Sequence, residues 1–454
     1  MTLYKIFFLL LIIFFSISEF SFGNLIGEKK HRLNLGFNVR LRYEYQNNFN
    51  IKSYGKDPVV GEEDDGFLMA RIRTGIDYYF SSKLHVSLWI QDSRVWDLDV
   101  PDKTFYKYNF NREHNPYKDP LELWNSYVEL IEPFSLPVTI KAGRQRIHFG
   151  DNRVFGPGEW GNTGSWIWDA IKSDVKFKFG YLSLFYGRSE IHDPDDFSLN
   201  HRHGYECVGL YSHFDVFKKL FFIEPFTMTK KDNHNRYKSE KGIYGDLDTY
   251  YYGVRAYTGY LKGFKIDFLY VTQQGDYSKD DVDAYGYHAW IGYKLNSFIL
   301  KPQFSIEYSY ASGDSNPRDG KHETFDGGYG SKDKAYGRMN LFKWQNIKDQ
   351  EINLELYPGK KSYIKLEFHR FYLAEKKDAW YHNAKIYRDK RGNSGDFVGK
   401  EFDFVAKFKP LKKTEIQIGY GHFWPDEFVK KMASNSQADW IFFMITKKFS
   451  TKIY

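Results

Sequence analysis

From Leu33 the chain reads Leu-Asn-Leu-Gly-Phe-Asn-Val-Arg-Leu-Arg-Tyr-Glu-Tyr, apolar and polar residues taking turns for 13 residues. In an extended chain successive side chains point to opposite faces. A period of two therefore sorts Leu33, Leu35, Phe37, Val39 and Leu41 onto one face and Asn34, Asn38, Arg40, Arg42 and Glu44 onto the other. A helix cannot separate these two sets. The run is roughly twice the five or six residues of an ordinary strand, and it exceeds the about 9–11 residues with which a tilted strand crosses a bilayer.

The pattern recurs in 18 segments, among them 66–80, 83–95, 298–311, 350–357 and 397–409. Short links, such as 81–82, 261 and 410, alternate with long polar ones at 46–65, 96–120, 148–167, 191–204, 230–248, 274–283, 312–349, 374–396 and 423–437. Long strands with short turns at one end and long loops at the other predict an all-β fold. It is a transmembrane antiparallel β-barrel of about 18 strands, with short periplasmic turns and long extracellular loops. An even strand number puts both termini on the periplasmic side. A soluble sandwich or propeller is the alternative, and it explains neither the strand length nor the short–long rhythm.

Composition agrees. Mean hydropathy is −0.60, yet 20% of the residues are aromatic, with 37 Tyr and 41 Phe. A polar chain rich in aromatic rings suits wet loops, a wet lumen and aromatic girdles at two membrane interfaces. The start, Met1-Thr2-Leu3-Tyr4-Lys5 followed by an apolar run from Ile6 to Phe15 and by Ser21-Phe22-Gly23, reads as a secretory leader cleaved after Gly23. Residues 24–454 are then one barrel domain. Cys207 is the single cysteine, which excludes an intramolecular disulfide. The net charge of +7 is modest, and no basic run resembles a nucleic-acid patch.

Several stretches add a resemblance. Leu88–Trp96 reads LWIQDSRVW, Leu123–Leu130 reads LWNSYVEL, and Ala142–Gly164 reads AGRQRIHFGDNRVFGPGEWGNTG. VGKEFDF follows at Val398–Phe404 and GYGHFWPDEF at Gly419–Phe428. This order resembles the alginate export family of outer-membrane porins, over most of the mature chain. The resemblance implies a monomeric 18-stranded barrel whose arginines pass an acidic polysaccharide outward. The positions that match its pore residues are Arg71, Arg73, Arg94, Arg144, Arg153, Glu401 and Asp403. The exporter's long periplasmic turn, which covers the pore mouth, has no counterpart among the short links here.

Alternation by itself nominates inward-facing charges. Thirteen positives, including Arg40, Arg42, Arg71, Arg73, Arg255 and Lys365, stand against twelve negatives, including Glu307, Glu351, Glu367, Glu401 and Asp403. Most such pairs are expected to brace the wall across neighbouring strands. Arg40, Arg42, Arg71 and Arg73 lie on adjacent strands and form the best candidate for an anion-selective stripe, since arginine stays ionised and binds carboxylates with a planar fork. Strict alternation puts Arg144 and Arg146 on the lipid face; a bulge at Gly143 is expected to turn them inward.

Other clusters carry less. His192, His201 and His203, with Asp193, Asp195 and Asp196, match no metal-ligand spacing. Asp314, Asp319, Asp326 and Asp333 lack the spacing of a calcium loop, but the loop holding them is the longest and is expected to fold inward. His288 and His369 face inward without a serine that the pattern nominates, so no enzyme, cofactor or metal is expected. The expected function is an outer-membrane channel for acidic or polar saccharides. The alternatives are a general diffusion porin for small solutes and ions, and an adhesin or receptor acting through its loops. Expected partners are outer-membrane lipid, a saccharide solute and, during biogenesis, the barrel assembly machinery.

Overall fold

In a computed structural model, residues 29–55, 61, 64–107, 112–113, 115–158, 160–191, 202–333, 335–359, 361–382 and 385–452 are described. The expected leader and residues 192–201 of the His/Asp loop lie outside them. Eighteen strands build the barrel: β1 (Lys29–Asn47), β2 (Asp64–Ser81), β3 (Leu84–Trp96), β4 (Asp119–Ile131), β5 (Val138–Arg146), β6 (Ile167–Phe177), β7 (Gly180–Ile191), β8 (Arg202–Asp215) and β9 (Phe221–Lys238), then β10 (Tyr244–Thr258), β11 (Phe264–Tyr277), β12 (Asp280–Lys294), β13 (Gln303–Ala311), β14 (Ile347–Gly359), β15 (Ser362–Tyr372), β16 (Phe397–Phe408), β17 (Thr414–Pro425) and β18 (Ala438–Lys452). Each pairs antiparallel with the next, and β1 pairs with β18 from Asn34 opposite Lys452 to Asn47 opposite Asp439, so the sheet closes. Closure leaves no sheet edge to be satisfied in lipid.

The alternation works as expected. On β1, Leu41 and Tyr43 are 43% and 45% exposed on the outside, while Arg40 and Arg42, at 4% and 1%, point into the lumen. Phe304 and Ile306 face out from β13 and Ser305 and Glu307 face in. Among the described residues no helix is long and apolar enough to cross a membrane; the strands do the crossing.

Two long links shrink. Strands β9 and β10 continue to Lys238 and from Tyr244, and β11 turns into β12 across Ser278 and Lys279 alone. Pairing outlasts the apolar band. Where a strand rises past the lipid its outer face turns polar, as at Lys231 and Asp248, ion-paired at 2.9 Å, and the hydropathy signal stops while the ladder goes on. At the opposite end β13 starts only at Gln303, because Leu300 and Lys301 take left-handed φ values of 64° and 43° in the turn before Pro302.

The buried apolar core lies inside the barrel, where inward-facing strand residues such as Trp168, Phe185 and Tyr251 meet the inserted links. Links 147–166, 312–346 and 373–396 fold into the lumen at the long-loop end. Phe155 packs against Trp168 at 5.3 Å and Tyr329 at 5.4 Å, and Phe342 stacks on Phe371 at 3.8 Å. The expectation that the longest loop folds inward holds. Its acidic residues have protein partners: Asp326 pairs with Lys230, and Asp333 accepts from the Trp160 amide at 3.1 Å.

Candidate permeation path and its charged walls

Strands β1 and β2 form a basic wall. Their register sets Arg40 directly opposite Arg71 and Asn38 opposite Arg73. Like charges opposed in this way repel, and the inserted link 147–166 relieves them. Arg40 Nη2 donates to the Gly161 carbonyl at 2.8 Å and to Asn162 Oδ1 at 3.1 Å, and Arg71 Nη1 reaches the same carbonyl at 3.2 Å. Arg42 donates to the Trp160 carbonyl, lies 4.1 Å from the centre of that ring and pairs with Glu44 at 2.8 Å. Arg73 stands 3.4 Å over Trp124 and donates to Gln91 at 2.7 Å. Among the described residues, Glu44 is the one carboxylate ion-paired to Arg42, Arg71 or Arg73.

The segment Trp160–Gly164 is thus a crossbar seated on the arginines. Asn162 fixes it by donating to the carbonyls of Ala70, Arg94 and Tyr117 at 3.2, 3.0 and 2.7 Å, while Gln91 and Ser93 donate to the Thr163 and Asn162 carbonyls. It ends at Gly164, whose φ of +92° and whose position, with an added Cβ 2.9 Å from Trp124, both require glycine.

Strands β13 to β16 form an acidic wall. Register lines up Glu307, Glu351, His369 and Glu401 across four strands, with Glu367 opposite Asp403 in the adjoining row. Here the relief is ionic. Arg153, from the crossbar link, meets Glu307 at 3.2 Å and Asp151 at 3.1 Å. Arg338, from the longest loop, pairs with Glu367, and Lys365 meets Glu367 at 2.6 Å. The loop backbone adds two donors: Arg338 N to Asp403 at 3.1 Å and Met339 N to Glu401 at 3.0 Å. Glu401 and Asp403, expected to line the path, are instead fully buried anchors of that loop.

The remaining candidates divide. Arg255 braces the wall between Asp267 and Glu224, at 2.8 and 2.9 Å. Arg144 is held between Glu122 at 2.9 Å and Asp169 at 2.8 Å. The bulge expected at Gly143 is absent, for β5 pairs with β6 through Arg146 without a register shift; carboxylates on both neighbouring strands satisfy Arg144 instead. Arg94 is not in the path. It sits opposite Ala70 on the face shared with outward Ile72, is 52% exposed and pairs with Asp92 at 2.8 Å.

Of two cavities, the first is lined in part by the crossbar and the second lies beside Arg73 and Trp124. A chamber of about 550 Å³ on the long-loop side is lined by six cations, Arg42, Arg153, Lys230, Lys332, Arg338 and Lys343, against Glu44, Asp326 and Asp333. Four indoles, of Trp160, Trp166, Trp344 and Trp440, share the lining. Burial, helped by Lys343, pushes the Lys332 ammonium down to about 8. A second cavity of about 710 Å³ on the short-turn side touches Arg73, Asp77, Trp89, Trp124 and Lys448. Lys332, Arg338 and Lys343 were not nominated by sequence, since loop residues have no period to betray their direction.

Two histidines gain partners. His288 meets Ser309 at 3.0 Å, a serine directly opposite it that the alternation did not single out, but both are buried in the wall and border neither cavity. Asp349, Glu351 and His369 bring metal-type donors within 4.8 Å of one another. His369 already bonds Asp349 at 3.0 Å, and Lys365 stands 3.7 Å from Glu351, so the cluster is held as an ion-pair network.

A sequence profile described as alginate export matches residues 31–442, essentially the whole barrel. The chain belongs to the alginate export family. No protein of curated function matches it in sequence. Solved structures with the same fold include OccAB2 of Acinetobacter baumannii (TM-score 0.61, 11% identity, covering 93% of this chain and 98% of that one). OprD of Pseudomonas aeruginosa gives a TM-score of 0.55 at 10% identity, covering 93% and 94% of the two chains. OpdK of the same organism, solved with vanillate, gives 0.58 at 9% identity, covering 92% and 99%. This alginate export family member is therefore an integral outer-membrane barrel with the architecture of a channel.

Proposed function

We propose that this barrel conducts carboxylate-bearing saccharides across the outer membrane as a monomer, with its short turns and both termini in the periplasm. The supporting observation is the 550 Å³ chamber, where, with Arg153 and Arg338 paired to Glu307 and Glu367, the cations Arg42, Lys230, Lys332 and Lys343 face Glu44, Asp326 and Asp333 and four indoles offer flat apolar faces. Guanidinium groups bind carboxylates bidentately, and aromatic faces suit the C–H surface of a sugar ring. The basic wall continues that chemistry past the crossbar to Arg73 and the second cavity. The test is single-channel conductance of the refolded protein under a salt gradient, with and without alginate oligomers. An anion-selective current blocked by the oligomers supports the reading; a weakly selective current indifferent to them refutes it.

A second reading, a pore for small carboxylates, is favoured by the crossbar itself, which occupies the space beside Arg40, Arg42 and Arg71 where a polymer would need room. Under that reading a short carboxylate permeates without blocking, and alginate oligomers are excluded.

A further inference from the structure

The two ends of the barrel carry different charge. The eight short links contain 11 lysines and one acidic residue, Glu132. The nine links at the other end hold 23 Lys and Arg against 24 Asp and Glu. The lysines also sit beside bare apolar side chains at the tips of the turns. Phe217 (63% exposed) precedes Lys218 and Lys219, Leu261 precedes Lys262, and Leu411 precedes Lys412; Ile299 is 90% exposed one residue pair before Lys301.

We propose that the short-turn end binds the phosphates of anionic phospholipids, with its apolar tips dipping into the leaflet and its lysines on the headgroups. Large apolar groups at turn tips are unfavourable in water, so these turns belong at the interface rather than beyond it. A lysine stem lies along such apolar surface while its ammonium reaches outward, and at that depth it meets the phosphodiester. A soluble acidic polymer would match the charge but leave Phe217, Ile299 and Leu411 wet; a leaflet of anionic phospholipid matches both features. The inference is independent of what the pore conducts.

The test is native mass spectrometry of the full-length barrel released from nanodiscs of equimolar phosphatidylglycerol and phosphatidylethanolamine. Phosphatidylglycerol is expected to be enriched among retained lipids by at least about fivefold, the effect of one lysine at a charged surface. In the variant K218Q/K219Q/K262Q/K412Q the ratio is expected to fall to parity, while K376Q/K377Q/K390Q in a long loop leaves it unchanged. Equal retention of both lipids by the unaltered barrel, or undiminished enrichment in the turn variant, overturns the proposal. Should the turn variant fail to fold by its gel shift on heating, the unaltered protein decides: enrichment must weaken as salt is raised, and enrichment indifferent to salt overturns the proposal.

Discussion

The basic and acidic walls arise from the same device, inward charges on adjacent strands, yet they are settled differently. On β2 the guanidinium groups of Arg71 and Arg73 meet a carbonyl, an amide and a ring, so they are held in place without an ion pair, while Arg42 on β1 pairs with Glu44. On β13 to β16 the carboxylates meet Arg153, Arg338 and Lys365, so the charge is cancelled. Among the described residues, Arg71 and Arg73 of one wall have neutral partners, while the carboxylates of the other are held by ion pairs. Inserted links serve both walls: link 147–166 offers carbonyls to the basic wall and Arg153 to the acidic one, and the longest loop adds Arg338.

The comparison is broken most severely at the acidic wall. Arg338→Met leaves Glu367 buried beside Lys365 alone; losing one partner of a buried pair costs about 3–5 kcal/mol. We expect loop 312–346 to detach, read as new protease cleavage within it while the barrel stays heat-modifiable on gels. An uncut loop would show that the wall does not depend on its arginine. Next in size, Arg71→Gln with Arg73→Gln removes charge that no carboxylate among the described residues pairs with. Binding of acidic oligomers is expected to weaken on the order of tenfold per arginine, the worth of a hydrogen bond to a charged group. Unchanged block kinetics would reverse the assignment of the two walls.

Smaller still is Gly164→Ala. Its left-handed φ and the nearby Trp124 ring make a side chain strained by roughly 1–2 kcal/mol, enough to loosen the crossbar, so single-channel noise should rise with mean selectivity retained. The pH effect follows from Lys332. Its ammonium titrates near 8, below the free side chain, so the chamber loses one positive charge as pH rises from 7 to 9. Anion selectivity measured by reversal potential should fall over that interval, and Lys332→Met should abolish the change. Least of all, Arg94→Ala should leave conductance and selectivity alone, because its outward ion pair contributes about 1 kcal/mol at most. A shift in selectivity would return Arg94 to the path.

The barrel was legible because lipid enforces alternation: Leu41 and Tyr43 must face out, so Arg40 and Arg42 face in. The same rule would have rejected Arg94, which shares parity with outward Leu88 and Trp96; only its place in a family motif recommended it. Alternation could not separate Arg71 from Glu401, since both face inward and their fates were decided by loops. Nor could it find Lys332, Arg338 or Lys343, whose directions depend on how the longest loop folds over the lumen. The inner aromatic core, with Phe155 and Tyr329 from distant links packed on Trp168 of β6, has no local signature.

Because Asn34–Asn47 pairs with Asp439–Lys452, the final seam joins residues that lie some 400 positions apart in the chain. Neither edge strand can be satisfied until the last strand arrives. A chain halted before Ala438 holds two open rows of amides and carbonyls that hydrocarbon cannot hydrate. The seam thus acts as a completeness check during biogenesis: only a finished polypeptide can leave the membrane insertion step as a sealed cylinder, and the C-terminal strand is the piece whose loss the rest of the barrel cannot compensate.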